Sequence, residues 1–242
     1  MTFSIVARCP RTDMLGVAVA TAVPAVGAVC PYVKTGVGAV STQSWVNPLL
    51  ALDVLRLMEK GTPGPEALDM IIRQDGGREV RQIGVIDAEG RSAAWSGNQC
   101  TDWYGQVVEP NFAAQGNMLV SAATIESMAD AFRRSETLDL AERLMLALEA
   151  GEAAGGDKRG RQSAAIRIHH AEEYSWLDLR VDEHHRPVAE LRRVYAIARL
   201  QLLPFVEGMP RRGTPDAMPP ASVVKLLGFP PPDRPGGGGS RL

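Results

Sequence analysis

Thr2 is the residue whose type and place suggest chemistry first. Removal of Met1, which a small second residue favours, would leave a threonine that owns both a hydroxyl and an α-amine. Such an amine titrates near about 7.7–8.0, so a useful fraction is an unprotonated base close to neutral pH. Nucleophile and base on one residue satisfy the requirement for covalent attack on a carbonyl carbon. Many chains begin Met-Thr with no chemistry attached. Here Thr2 opens directly into the apolar run Phe3-Ser4-Ile5-Val6-Ala7, a strand pattern that would hold a nucleophile rigidly.

Other side chains supply partners by type and placement. Gly155-Gly156-Asp157-Lys158-Arg159-Gly160-Arg161-Gln162-Ser163 gathers flexible glycines, a carboxylate, three cations, an amide and a hydroxyl between a helix and a strand. Asp157 and Ser163 are placed to orient an amine, and Arg159 with Lys158 to hold an acidic substrate group. A solvated basic turn explains the same residues equally well. Gln115-Gly116-Asn117 offers amide donors for an oxyanion, although Gly-Asn is also ordinary turn chemistry. Lys34, at a strand mouth, would lower a nearby amine's pKa by like-charge repulsion, or simply sit in water. Alternation places Glu79 and Arg81 on one face, as an ion pair or as the lining of a cleft. The expected catalytic set is therefore Thr2, Lys34, Asn117, Asp157 and Ser163, with Gln43, Glu79, Arg81 and Arg159 binding substrate.

Several function classes are set aside. The adjacent pairs His169-His170 and His184-His185 point to opposite faces of a strand, so no metal site is expected. Gly36-Val37-Gly38 lacks the third glycine and following helix of a dinucleotide fingerprint, and no Gly-x-Ser-x-Gly elbow or P-loop occurs. No cofactor is expected. Lys+Arg of 26 against Asp+Glu of 28 leaves a net charge of −2 without a basic block, which argues against nucleic-acid binding. Prolines 24 and 31 interrupt the longest low-charge stretch, so no membrane span is expected. Three scattered cysteines without a CxxC, and no signal-peptide pattern, suggest a reduced cytoplasmic chain. Cys100 has no activator in the sequence and reads as a packed thiol.

The elements that must position these residues are legible as period. Residues 2–8 and 16–22 are Val- and Ala-rich strands across a Pro-Arg-Thr-Asp turn, and 34–42 reads as a third strand. Pro48 opens a helix to Lys60, and a second helix runs to Gln74. A hairpin joins 81–87 to 91–96, with strand-like pieces to Asn117. Helices follow over 121–133 and 138–150, strands over 163–169 and 175–181, and a final helix over 187–203. Helices grouped in pairs between runs of strands indicate α+β layering rather than a doubly wound sheet. The last 42 residues hold nine prolines and seven glycines, so 1–203 is read as the domain and 204–242 as a flexible tail with a brief helix at 221–229 and a Gly-Ser linker at 236–240.

Thr2–Arg8, Gly16–Ala20, Gly36–Gln43, Arg81-Gln82, Ala114–Asn117, Gly155–Asp157 through Gln162–Ala164, and Asp178–Asp182 together resemble the bacterial domain of unknown function 1028 family. The likeness runs from about Thr2 to Leu200, in the same order and at similar spacing. It implies a fold similar to N-terminal-nucleophile hydrolases, an α+β four-layer α-β-β-α sandwich of two antiparallel sheets. It also implies Thr2 as the position of the nucleophile, without fixing a substrate; the leading expectation is an amidohydrolase that cleaves a linear C–N bond in a small amide or short peptide. The family is expected to vary at Lys34, which weakens that residue's case. The alternatives are a non-catalytic binding or scaffold protein on the same sandwich and, further behind, a hydrolase using Cys100 or an internal serine. A homo-oligomer is expected.

Overall fold

The computed structural model describes residues 2–228. Two antiparallel sheets form its centre. The larger has the order β10-β9-β2-β1-β8-β7, built from β1 (Thr2–Arg8), β2 (Leu15–Thr21), β7 (Gly105–Glu109), β8 (Phe112–Asn117), β9 (Ser163–His169) and β10 (Ser175–Val181). The smaller has the order β3-β4-β5-β6, from β3 (Pro31–Lys34), β4 (Gly38–Ser44), β5 (Arg81–Asp87) and β6 (Ser92–Ser96). β1 and β2 pack on β4, and β8 packs on β5, so the sheets stack. Helices α2 (Pro48–Glu59) and α3 (Gly64–Gln74) cover the small sheet, while α4 (Ala123–Arg134) and α5 (Leu140–Ala153) cover the large one. The layers therefore run α-β-β-α, and the fold class is α+β.

Alternation in β1 explains the layering. Phe3 packs beside Gly151 and Gly156 on the α5 side, while Ser4 and Val6 face the small sheet. The face between the sheets changes character along its length. At one end Val6, Val17, Ala113, Ala39 and Ile86 make a dry cluster. At the other, Ser4, Gln43, Gln82, Gln115 and Asn117 are buried and hydrogen-bonded to one another. The helices form where expected: Asn47 caps α2 by accepting from the Leu49 N–H, and Asp139 caps α5 by accepting from the Glu142 N–H.

One strand differs from the sequence reading. Residues 34–42 are not a single strand: β3 ends at Lys34, and a turn carrying Gly36 at φ +67° reverses the chain into β4. A short helix, α1 (Val26–Val29), precedes β3. Val80 ends a 3-10 turn (Arg78–Val80), so Glu79 is not in a strand.

The chain divides into two compact units, the first ending at Arg192 and the second beginning at Arg193, inside α6 (Pro187–Gln201). The second unit contains α7 (Leu203–Glu207) and α8 (Ala221–Gly228), with Gly208 against Pro220 and Val223. The 236–240 linker lies outside the described residues. Among the described residues no helix is long and apolar enough to cross a membrane.

Candidate functional site

Strand pairing brings three of the five expected catalytic residues to the polar end of the large sheet, and a side-chain hydrogen bond places a fourth beside them. Ser163 on β9 pairs with Thr21 on β2, Thr21 with Thr2 on β1, and Thr2 with Asn117 on β8. Directly paired residues share a face, so Ser163, Thr21, Thr2 and Asn117 form one row across four strands. Asp157 sits at its edge, where its carboxylate accepts from the Ala22 N–H at 2.9 Å, just beyond Thr21.

Each member of the row is held. The Thr2 and Thr21 hydroxyl oxygens lie 3.2 Å apart, and Thr2 is 5% exposed. The Thr2 carbonyl accepts from Gln43 Nε2 at 3.2 Å. That amide also donates to Gln82 Oε1 at 2.7 Å, and Gln82 Oε1 accepts from Asn117 Nδ2 at 2.9 Å. Gln82 in turn donates to the Gly116 carbonyl and to Ser96 Oγ, both at 2.8 Å. Gln43 Oε1 accepts from Ser4 Oγ at 2.6 Å, and Ser4 Oγ accepts from Gln115 Nε2 at 2.6 Å. These amides bind the two sheets together directly beneath Thr2. In such low-dielectric surroundings a connected polar network fixes geometry more firmly than a surface bond.

The structure corrects several roles expected from residue type. Lys34 pairs with Gly38, at the end of β4 opposite Gln43, roughly 17 Å along the strand. Its amine forms an exposed 2.6 Å ion pair with Glu59, so it cannot tune a group at Thr2. Ser163 Oγ donates to the Val23 carbonyl at 2.6 Å and accepts from the Val26 N–H at 3.1 Å, which makes it a tether for the entry to α1. Asp157 also accepts from the Arg159 N–H at 2.8 Å, with Arg159 Nη2 3.4 Å from its carboxylate. Arg159 thus closes its own loop, and Lys158 is bonded to the Asp102 carbonyl.

Glu79 and Arg81 do not pair with each other. Arg81 binds Asp75 at 2.9 Å and donates to the Trp45 carbonyl at 2.7 Å. Burial pushes the Asp75 carboxyl up, but the bonds from Arg81 and the Gly77 N–H outweigh it and leave the group below its ordinary value. Glu79 pairs with Arg78 and accepts from the Asn98 N–H, while its carbonyl accepts from the Gln99 N–H. These two residues therefore brace the Trp45 and Gln99 segments. Between those segments opens a cavity of about 480 Å³ that reaches the row at Asn117, lined also by Ser44, Trp45, Gln99, Thr101 and Met118. Trp45 is 72% exposed at its mouth. Cys100 is buried, bonded to the Arg81 carbonyl, and burial pushes its thiol up, which suits packing rather than nucleophilic attack.

Thr21, Ser4 and Gln82 are the site residues that residue-type reasoning passes over. Their signal is faint: each is a polar side chain near one end of an otherwise largely apolar strand. Among the described residues no group of three or more His, Cys, Asp or Glu could hold a metal ion.

A family model described as a family of unknown function, DUF1028, matches residues 2–191. The chain belongs to this family. A DUF1028 protein from Silicibacter pomeroyi, known from a crystal structure, is similar at 30% identity and a TM-score of 0.83, covering 90% of this chain and 96% of that one. The Anbu (ancestral beta-subunit) protein from Yersinia bercovieri also matches, at 11% identity and a TM-score of 0.35 over 82% of this chain and 94% of that one. No curated protein matches. The DUF1028 match spans all of the row, from Thr2 to Ser163.

Proposed function

We propose that this DUF1028 protein is an N-terminal-nucleophile amidohydrolase acting on a small, neutral amide. The observation that carries the reading is the row Asn117–Thr2–Thr21–Ser163, buried between two sheets and opening at Asn117 on a cavity of about 480 Å³. Freed of Met1, Thr2 gives its hydroxyl proton to its own α-amine as Oγ attacks the carbonyl carbon. The tetrahedral oxyanion is stabilised by backbone N–H groups or the Asn117 amide, at an end of the sheet where Gln82 already fixes that amide's orientation. The ammonium returns its proton to the departing nitrogen, leaving an ester on Thr2. Water, deprotonated by the same amine, then hydrolyses that ester.

Substrate charge follows from the cavity. The six residues named along it are all neutral, while Arg159 is engaged within its own loop and Lys158 with the Asp102 carbonyl. A neutral amide fits these surroundings better than the acidic one expected from the basic loop. The competing reading, a binding protein without turnover, draws on the burial of Thr2 and on the amides' engagement with one another.

Turnover of a panel of neutral p-nitroanilides by the wild type, Thr2→Ser and Thr2→Ala separates the two. Hydrolysis is expected from the wild type and the serine variant, with a loss of about a thousandfold or more in Thr2→Ala at a nearly unchanged melting temperature. Equal turnover in Thr2→Ala overturns the mechanism, and binding without turnover by the wild type favours the competing reading.

A further inference from the structure

A second cavity, of about 440 Å³, lies at the other end of the large sheet. Cys9, which follows β1, forms part of its wall and lies seven residue steps along the chain from Thr2, roughly 24 Å. Arg143, from the first turn of α5, also lines it and is only 6% exposed. Its guanidinium carbon stacks 3.8 Å from the centre of the Phe132 ring, and Nη2 donates to the Phe132 carbonyl at 3.1 Å. Its Nε is buried with no hydrogen-bond partner. Among the described residues no carboxylate lies within ion-pairing distance of it. A buried guanidinium normally has a carboxylate partner, because an unpaired charge away from water is costly. Holding α4 to α5 would explain the stacking and the one bond. It leaves unexplained the unpartnered Nε beside an open cavity.

The surroundings define the missing partner. Phe112, Phe132 and Pro110 give the cavity apolar walls, and Arg11 adds a second cation at its rim. Arg133 is occupied by Glu109 and Asp130. Glu109 and Glu136, also on the lining, would repel a dianion more strongly than a monoanion. We propose that this cavity is a binding site for a small organic monocarboxylate with an apolar body, its carboxylate paired with Arg143 and its body against Phe112 and Phe132. Burial holds the Arg143 guanidinium below its ordinary value, against the opposing pull of the Glu136 charge. This cavity is separate from the chemistry proposed at Thr2.

Phenylacetate, 2-phenylethanol and phenyl phosphate, titrated into the full chain by calorimetry and by NMR of arginine Nε–H signals, test it. Phenylacetate is expected to bind saturably and to shift the Arg143 Nε–H signal, with the alcohol and the phosphate each at least about tenfold weaker. R143M, which keeps the stem without the charge, is expected to weaken phenylacetate by about tenfold or more. E136Q, which removes a nearby like charge, is expected to tighten it severalfold. No saturable binding, equal binding of the alcohol, tighter binding of the phosphate, or unchanged affinity in R143M each overturns the assignment. If R143M does not fold, the ranking of the three probes and the direction of the E136Q effect decide.

Discussion

The hydroxyl oxygens of Thr2 and Thr21 lie 3.2 Å apart because β1 and β2 pair with these residues directly opposite each other. Thr21 thus gives the proposed nucleophile a fixed neighbour that can orient its hydroxyl. Thr21→Val keeps the shape and removes the bond. Acylation of Thr2 by an electrophile is expected to slow about three- to tenfold, the worth of one buried neutral hydrogen bond, with a stability loss of about 1 kcal/mol. Time-resolved intact mass measures it, and an unchanged rate would show that Thr21 plays no part.

Gln82 joins the sheets through bonds to Gln43, Asn117, Ser96 and the Gly116 carbonyl. Gln82→Leu leaves several buried groups without partners, so a loss of about 3 kcal/mol or more is expected in urea denaturation. A shift of the size seen for a surface substitution would mean that the amide network contributes little.

Gly84 lets the two sheets approach closely at this end. A Cβ there would sit 2.2 Å from Gln115 Oε1 and 2.5 Å from its Cδ and Nε2. Gly84→Ala must push the Gln115 amide aside, and a destabilisation of about 1–3 kcal/mol is expected, with lost acylation at Thr2. A crystal structure of the variant with Gln115 still bonded to Ser4 would contradict this account of the packing.

His169 gives the fold a pH dependence. Burial, helped by the charge of Arg167, pushes its imidazole from 6.5 down to about 4, and its ring nitrogens are bonded to Thr35 Oγ1 and Ser175 Oγ. The unfolded chain takes up this proton below about pH 6.5, whereas the folded one waits until about 4. Stability is therefore expected to fall as pH drops through that window, by up to about 3 kcal/mol, and to gain nothing from this group above it. The ring-proton shift of His169 should keep its neutral value at pH 5. A midpoint near 6.5 would refute the assignment.

Much of the scaffold was legible because it is written in local period. The runs beginning at Thr2 and at Leu15, the Pro48 helix and the hairpin around Gly90 all carry their signals within a few residues. The site was legible only as a set of residue types. Thr2 and Asn117 become neighbours through a pairing across 115 positions of sequence, and no local pattern encodes that register. Lys34 misleads for a related reason. The turn at Gly36 folds one apparent strand into two and carries the lysine to the far end. Lys34→Ala is accordingly expected to change stability by less than about 1 kcal/mol, as for other exposed pairs, and to leave acylation at Thr2 unchanged.

Intact mass before and after treatment with a β-lactone shows whether Thr2 is a free N-terminal nucleophile. The expected result is a protein lacking Met1 that gains one adduct, mapped by peptide sequencing to Thr2 and absent in Thr2→Ala. Protein from its native source that retains Met1, or an adduct that survives in Thr2→Ala, would contradict it.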